Sequence, residues 1–193
     1  MPDDGSPAPL DFDKPHVELI GELTEDRAVD FIKRLQDVAE GAEPLLISVT
    51  TVGGDADLAR RILLELSRLR QRSARRIAFI GKTQCYSAGV SIMSAFPVAD
   101  RYLTGDCWLL IHCRQLDKTV EISGPMRSSL PQVRSLCHQI ELGLEREEEN
   151  FRRLIEGSEI DMADLLEKAL CNWYVPAKEA LELGLVAGIV AAS

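Results

Sequence analysis

The sequence predicts an α/β fold in which helices pack on a mainly parallel sheet. Three observations carry that reading: continuous apolar runs of strand length ("LLISVT", "RIAFIG", "CWLLIH"), amphipathic stretches of helical period between them, and glycines at the crossings. A strand that is apolar on both faces needs cover on both, and helices supply it when β and α alternate along a chain. The 193 residues suit one domain around one core, and 46% hydrophobic with 27% charged residues is the composition of a globular chain.

The first fifteen residues, rich in Pro, Asp and Gly, read as a flexible arm, so the domain is expected over 16–193. "HVELIG" reads as a strand. The helix after it takes Thr24 as N-cap and Gly41 as its stop, with Ala28, Phe31, Ile32, Leu35 and Val38 on its apolar face. "LLISVT" is a buried strand that ends in "TVGGD", ahead of a helix from about Asp55 to Leu69. "RIAFIG" repeats strand and glycine, and "KTQCYSAGVSIMSAF" leads into a second buried helix. Strands at "RYLTG" and "CWLLIH" follow.

From Ser129 to Glu156, Val133, Cys137, Ile140, Leu144, Phe151 and Leu154 recur at helical spacing, with Glu148–Arg152 and Glu149–Arg153 as i,i+4 pairs on the wet face. A helix this long is expected to project from the core or to pack on another copy. Asp161 caps a helix to about Leu170, and in "VPAKEALELGLV" Pro176 starts a helix that Gly184 ends.

A net charge of -9 argues against nucleic acid and anionic membranes, which call for a positive contact surface. No apolar run approaches the ~20 residues that span a bilayer, and the first residues lack the pattern of a signal peptide, so a cytoplasmic protein is expected. The five cysteines form no C-x-x-C pair, and reduced, mostly buried thiols are the expectation. With three histidines far apart in the chain, neither a metal site nor a cofactor is implied.

Three features bear on chemistry. In "CYSAGVSIM", Ser87 stands where a strand gives way to a helix, so its hydroxyl is placed as an acyl-transfer nucleophile and the next N–H, from Ala88, as an oxyanion donor; the plain alternative is a small interior serine. The glycines of "GGD" let the backbone at Gly54 approach a bound group, or simply make a tight turn. His112, at the end of "CWLLIH", suits a general base at a cleft. Serine, histidine and a glycine turn are together the minimum set for serine acyl transfer.

The ordered motifs "ISVTTVGGD", "YSAGVSIMSA", "DRYLTGDCWLLIH" and "NWYVPAKEALELGLV", spread over Val17 to Val190, resemble the proteolytic subunit of the Clp protease family, serine peptidases of the crotonase-like fold. The 25 residues from Ser87 to His112 are similar to the family's own spacing. The resemblance implies repeated β-β-α units with a projecting handle at about 113–160, Ser87 as nucleophile, His112 as base, and Gly54 and Ala88 as the oxyanion hole. It implies a homo-oligomer of stacked heptameric rings, peptide or unfolded protein as substrate, and an ATP-dependent unfoldase as a candidate partner.

Departures from the family pattern are specific. Asn172 falls at the position of the triad aspartate; an amide can orient the imidazole but supplies no charge to the imidazolium. "TVGG" stands for "SPGG", the arm before Val17 is short and acidic, and the segment after His112 lacks a glycine-rich strand. Two alternatives therefore stay beside a slow Ser-His-Asn peptidase: a degenerate subunit that only assembles, and a crotonase-fold enzyme acting on acyl-CoA thioesters.

Overall fold

The computed structural model describes residues 10–191. Strands β1 (Val17–Ile20), β2 (Leu45–Thr51), β3 (Ile77–Tyr86), β4 (Arg101–Thr104) and β7 (Gly188–Val190) lie side by side in that order, all parallel. A further strand, β5 (Trp108–Ile111), pairs in parallel with β3 and antiparallel with β6 (Trp173–Pro176). Helices α1 (Glu25–Asp37), α2 (Ala56–Arg72), α3 (Ala88–Met93), α4 (Met126–Ile155), α5 (Met162–Leu170) and α6 (Ala177–Glu182) fall between the strands. This is the expected α/β alternation.

The structure departs from the expected elements in two short strands that the sequence reading does not place, β6 and β7, and in β3. The sequence reading ends this strand at Gly81, yet the chain continues as strand to Tyr86 and changes partner on the way. Phe79–Gly81 lie against Arg101–Leu103 of β4, whereas Gln84–Tyr86 lie against Trp108–Leu110 of β5. Between the two halves Thr83 takes φ 56, the kink that opens the fork. Gly81 is present for closeness: a Cβ there would stand 2.7 Å from Leu103 Cδ2.

The helices follow their sequence signals with shifts at the ends. Asp55 caps α2 through its carboxylate, which accepts from Asp57 N–H (2.7 Å) and Leu58 N–H (3.0 Å). α1 stops at Asp37 with Val38 as its C-cap, short of Gly41. Asp161 caps α5 by accepting from Asp164 N–H at 2.8 Å.

Most of the core lies between the sheet and these helices, around Phe31, Ile47, Val49, Ile62, Leu66, Phe79, Phe96 and Leu109. A smaller cluster on the other face, Leu46, Ala78 and Ile80, is covered by Leu10, Phe12, Tyr102 and Val190. Phe12 packs on Tyr102 with ring centroids 4.8 Å apart. The packed chain thus begins earlier than His16, and the rest of the expected arm, 1–9, lies outside the described residues. Of the cysteines, Cys85 and Cys107 are buried and Cys113 half-buried, but Cys137 and Cys171 are exposed, so the thiols are less buried than expected.

α4 buries only Glu147, Phe151 and Leu154, all near its C-terminal end. Leu130, Val133, Ile140 and Leu144 stay exposed along the rest, so the first half of the helix leaves the body of the chain. Its base is tied down by Arg101, whose side chain is fully buried. That guanidinium donates to the carbonyls of Phe96 (2.7 Å), Arg153 (2.9 Å), Leu154 (2.7 Å) and Leu185 (3.3 Å). Arg153 and Leu154 carry two of the last carbonyls of α4, the groups a helix end leaves unpaired.

Candidate active site

β2, β3 and β5 run parallel, so their C-terminal ends open on one edge of the sheet, the edge where α/β folds bind ligands. "TVGGD" leaves β2 there, Ser87 leaves β3, and His112 leaves β5. Gly54, Ser87, Ala88 and His112 accordingly line one cleft of about 430 Å³, with Val90, Leu110, Phe151 and Leu154 as apolar wall.

Ser87 has φ 51 and ψ -104, a conformation that an L-residue adopts only when its surroundings impose it. What imposes it is visible. Ser87 N–H donates to Leu110 O (2.9 Å), continuing the ladder from β3 to β5, while the next residue already starts α3. The sharp bend turns the half-buried side chain outward, away from the core that takes Ala88, Gly89 and Val90. Gly53 makes room for it, since a Cβ at Gly53 would meet Ser87 Cβ at 2.9 Å.

Gly54, at φ 140, is a backbone position for glycine alone: a Cβ would sit 2.4 Å from Leu23 O. Leu23 N–H donates to Gly53 O (2.8 Å) and Asp55 N–H to Leu23 O (3.3 Å), which holds the turn on both sides and leaves Gly54 N–H without a partner among the described residues. Ala88 N–H is likewise unoccupied. Two free N–H groups beside one hydroxyl are the elements of an oxyanion hole.

The missing turn proline has a substitute that the sequence reading overlooked. Thr51, fully buried, accepts from Gly53 N–H (3.0 Å) and donates its hydroxyl to Gly53 O (3.2 Å), closing the turn with a side chain. Thr51→Val keeps the shape and orphans the buried Gly53 N–H, so a loss of about 2 kcal/mol in denaturant unfolding is expected. A change below about 0.5 kcal/mol would mean that the hydroxyl is dispensable to the turn.

His112 Nδ1 lies 2.7 Å from the carbonyl oxygen of Cys113. A carbonyl only accepts, so the proton of the neutral ring sits on Nδ1 and Nε2 keeps its lone pair. This is the tautomer that a general base toward serine requires. No hydrogen bond joins His112 to Ser87 Oγ in the isolated chain, although both face the same cleft.

Asn172 is exposed and takes φ 57 just past the end of α5, with its N–H on Ala169 O (3.3 Å). Left-handed backbone after a helix is a common setting for asparagine, so this residue has a structural reason of its own. The β5–β6 register pairs Ile111 with Trp173, which puts His112 and Asn172 opposite each other one step beyond the ladder. Asn172 is therefore the residue across from His112, but its side chain makes no hydrogen bond to the ring, whose Nδ1 is on Cys113.

Glu147 lines the same cleft as His112, and its carboxylate accepts from Arg114 N–H. Glu147 was hidden in "LEREEEN", which reads as a solvated charge run. The available signal was its spacing: Ile140, Leu144, Glu147, Phe151 and Leu154 share one helical stripe, with an acid at an apolar position.

The fold is a ClpP-like α/β fold, with strand ends converging on a serine turn. Among solved structures, an asparagine-to-aspartate mutant of ClpP1 from Listeria monocytogenes matches over 91% of this chain and 91% of its own, with a TM-score of 0.67 and 16% sequence identity. No family model and no curated protein matches the chain.

Proposed function

We propose that the protein is a ClpP-like serine peptidase that cleaves unfolded polypeptide or short peptides. Ser87 Oγ attacks the peptide carbonyl while His112 Nε2 takes its proton, and the oxyanion is held by the N–H groups of Gly54 and Ala88. His112 then protonates the leaving amine, and water hydrolyses the ester by the same proton route in reverse. Asn172, opposite His112 one step beyond the β5–β6 ladder, takes the third place in this triad and helps to orient the ring alongside the Cys113 carbonyl that holds Nδ1. The observation that carries this reading is the strained Ser87 turn, which shares one cleft with Gly54, Ala88 and His112.

Assembly belongs to the same reading. Val133, Cys137, Ile140 and Leu144 form a bare apolar stripe on the projecting half of α4, suited to a second copy of the chain; stacked heptameric rings are the form that the family resemblance suggests. Cytoplasmic location and an unfoldase partner rest on the sequence alone. Among the described residues, no helix is long and apolar enough to cross a membrane.

A subunit that assembles without cleaving is the second reading, favoured by the unmade Ser87–His112 bond and the uncharged Asn172. Hydrolysis of a fluorescently labelled unfolded protein separates the two. The peptidase reading expects turnover by the assembled wild type and none by Ser87→Ala. Equal rates in both proteins would sink it.

A further inference from the structure

The peptide unit joining Cys113 to Arg114 is hydrogen-bonded at both ends. Its C=O accepts from His112 Nδ1, and its N–H donates to a Glu147 carboxylate oxygen. Because a peptide is planar and trans, its N–H and C=O point in opposite directions, so the group that fixes one fixes the other. The preceding N–H, of Cys113, is held by Ala169 O at the end of α5 (3.3 Å).

Glu147 is 5% exposed, and a carboxylate so buried normally has a cation beside it. Here the nearby guanidinium groups of Arg114 and Arg146 pair with Asp57 instead, at 3.3 and 3.2 Å. The Cys113 thiol, whose pKa is raised by burial and then by the Glu147 charge, remains a thiol and offers no counter-charge.

We propose that Glu147 is a positioning residue for catalysis, a carboxylate that acts on His112 through the Cys113–Arg114 peptide. This rests on the Ser87 peptidase reading. A carboxylate on the N–H polarises the amide, makes its C=O a stronger acceptor, and so holds Nδ1–H and favours the imidazolium formed when Ser87 is deprotonated. The charge that Asn172 lacks thus reaches the ring by way of one peptide.

The test uses Glu147→Gln, which keeps volume and acceptor oxygen but removes the charge, in the wild-type and Asn172→Asp backgrounds. With Asn172 in place, Ser87 acylation by a fluorophosphonate is expected to slow on the order of 10- to 100-fold, the scale that outer-shell partners of metal-bound histidines show. With Asn172→Asp, which gives the ring a direct acid, the loss should shrink to less than about 2-fold. Equal losses in both backgrounds, or no loss in either, would overturn the proposal while leaving the peptidase reading intact. A second readout needs no activity: the His112 Nδ1–H proton resonance should move upfield in Glu147→Gln. An unmoved resonance would overturn the proposal even if wild type proved inert toward the probe.

Discussion

Replacing Arg101 with methionine is expected to lower the stability of the chain by about 4 kcal/mol. Arg101 is 1% exposed, and burial pushes its pKa down to about 10, which leaves it a cation at neutral pH. Its cost of desolvation is offset by the carbonyls of Phe96, Arg153, Leu154 and Leu185, which come from three separate parts of the chain. Methionine fills most of the space but donates nothing, so those buried oxygens lose their shared partner at roughly 1–3 kcal/mol each where no other donor reaches them. The damage should extend to the cleft, because Arg101 holds the end of α4 that presents Phe151 and Leu154 to it. Urea unfolding at fixed protein concentration measures the loss, since assembly would otherwise shift the midpoint. A loss below about 1 kcal/mol would show that the carbonyls are satisfied without the arginine.

Asn172→Asp is expected to speed Ser87 acylation, by at least about tenfold and with an upper bound of about 10^4, the loss that the reverse change causes in a serine protease of another fold. The register places residue 172 opposite His112, so a carboxylate there lies within reach of the imidazolium and stabilises it as the proton leaves serine. Backbone strain works against this gain only slightly: φ 57 suits asparagine best, but aspartate also tolerates it. The observed acylation rate constant of purified variant and wild type decides the matter. A ratio within about threefold of unity would mean that the side chain at 172 does not act on the ring.

How much of this was readable beforehand varies with the range of the signal. Gly54, Ser87 and His112 could be found because each ends an apolar strand, and parallel strands deliver their ends to one edge of a sheet. α5 and α6 could be placed because Asp161, Pro176 and Gly184 are local signals with local causes. β3 could not, because Gly81 looks like a strand end and its real cause is Leu103, a neighbour from another strand. Leu10 and Phe12 were lost among Pro and Asp, although they cover the far face of the sheet. Thr51 was missed because it acts on a backbone N–H, and backbone partners leave no trace in residue identity; Glu147 was missed because an acid at an apolar helix position was lost among the charges around it.

The central claim is that Ser87 is a nucleophile activated by His112. The most direct measurement is fluorophosphonate labelling of the purified, assembled protein, with the adduct located by peptide mass mapping and Ser87→Ala and His112→Ala alongside. The account predicts one adduct, on Ser87, absent in Ser87→Ala and strongly slowed in His112→Ala. An adduct on another residue, labelling indifferent to both substitutions, or an assembled wild type that never labels would contradict it.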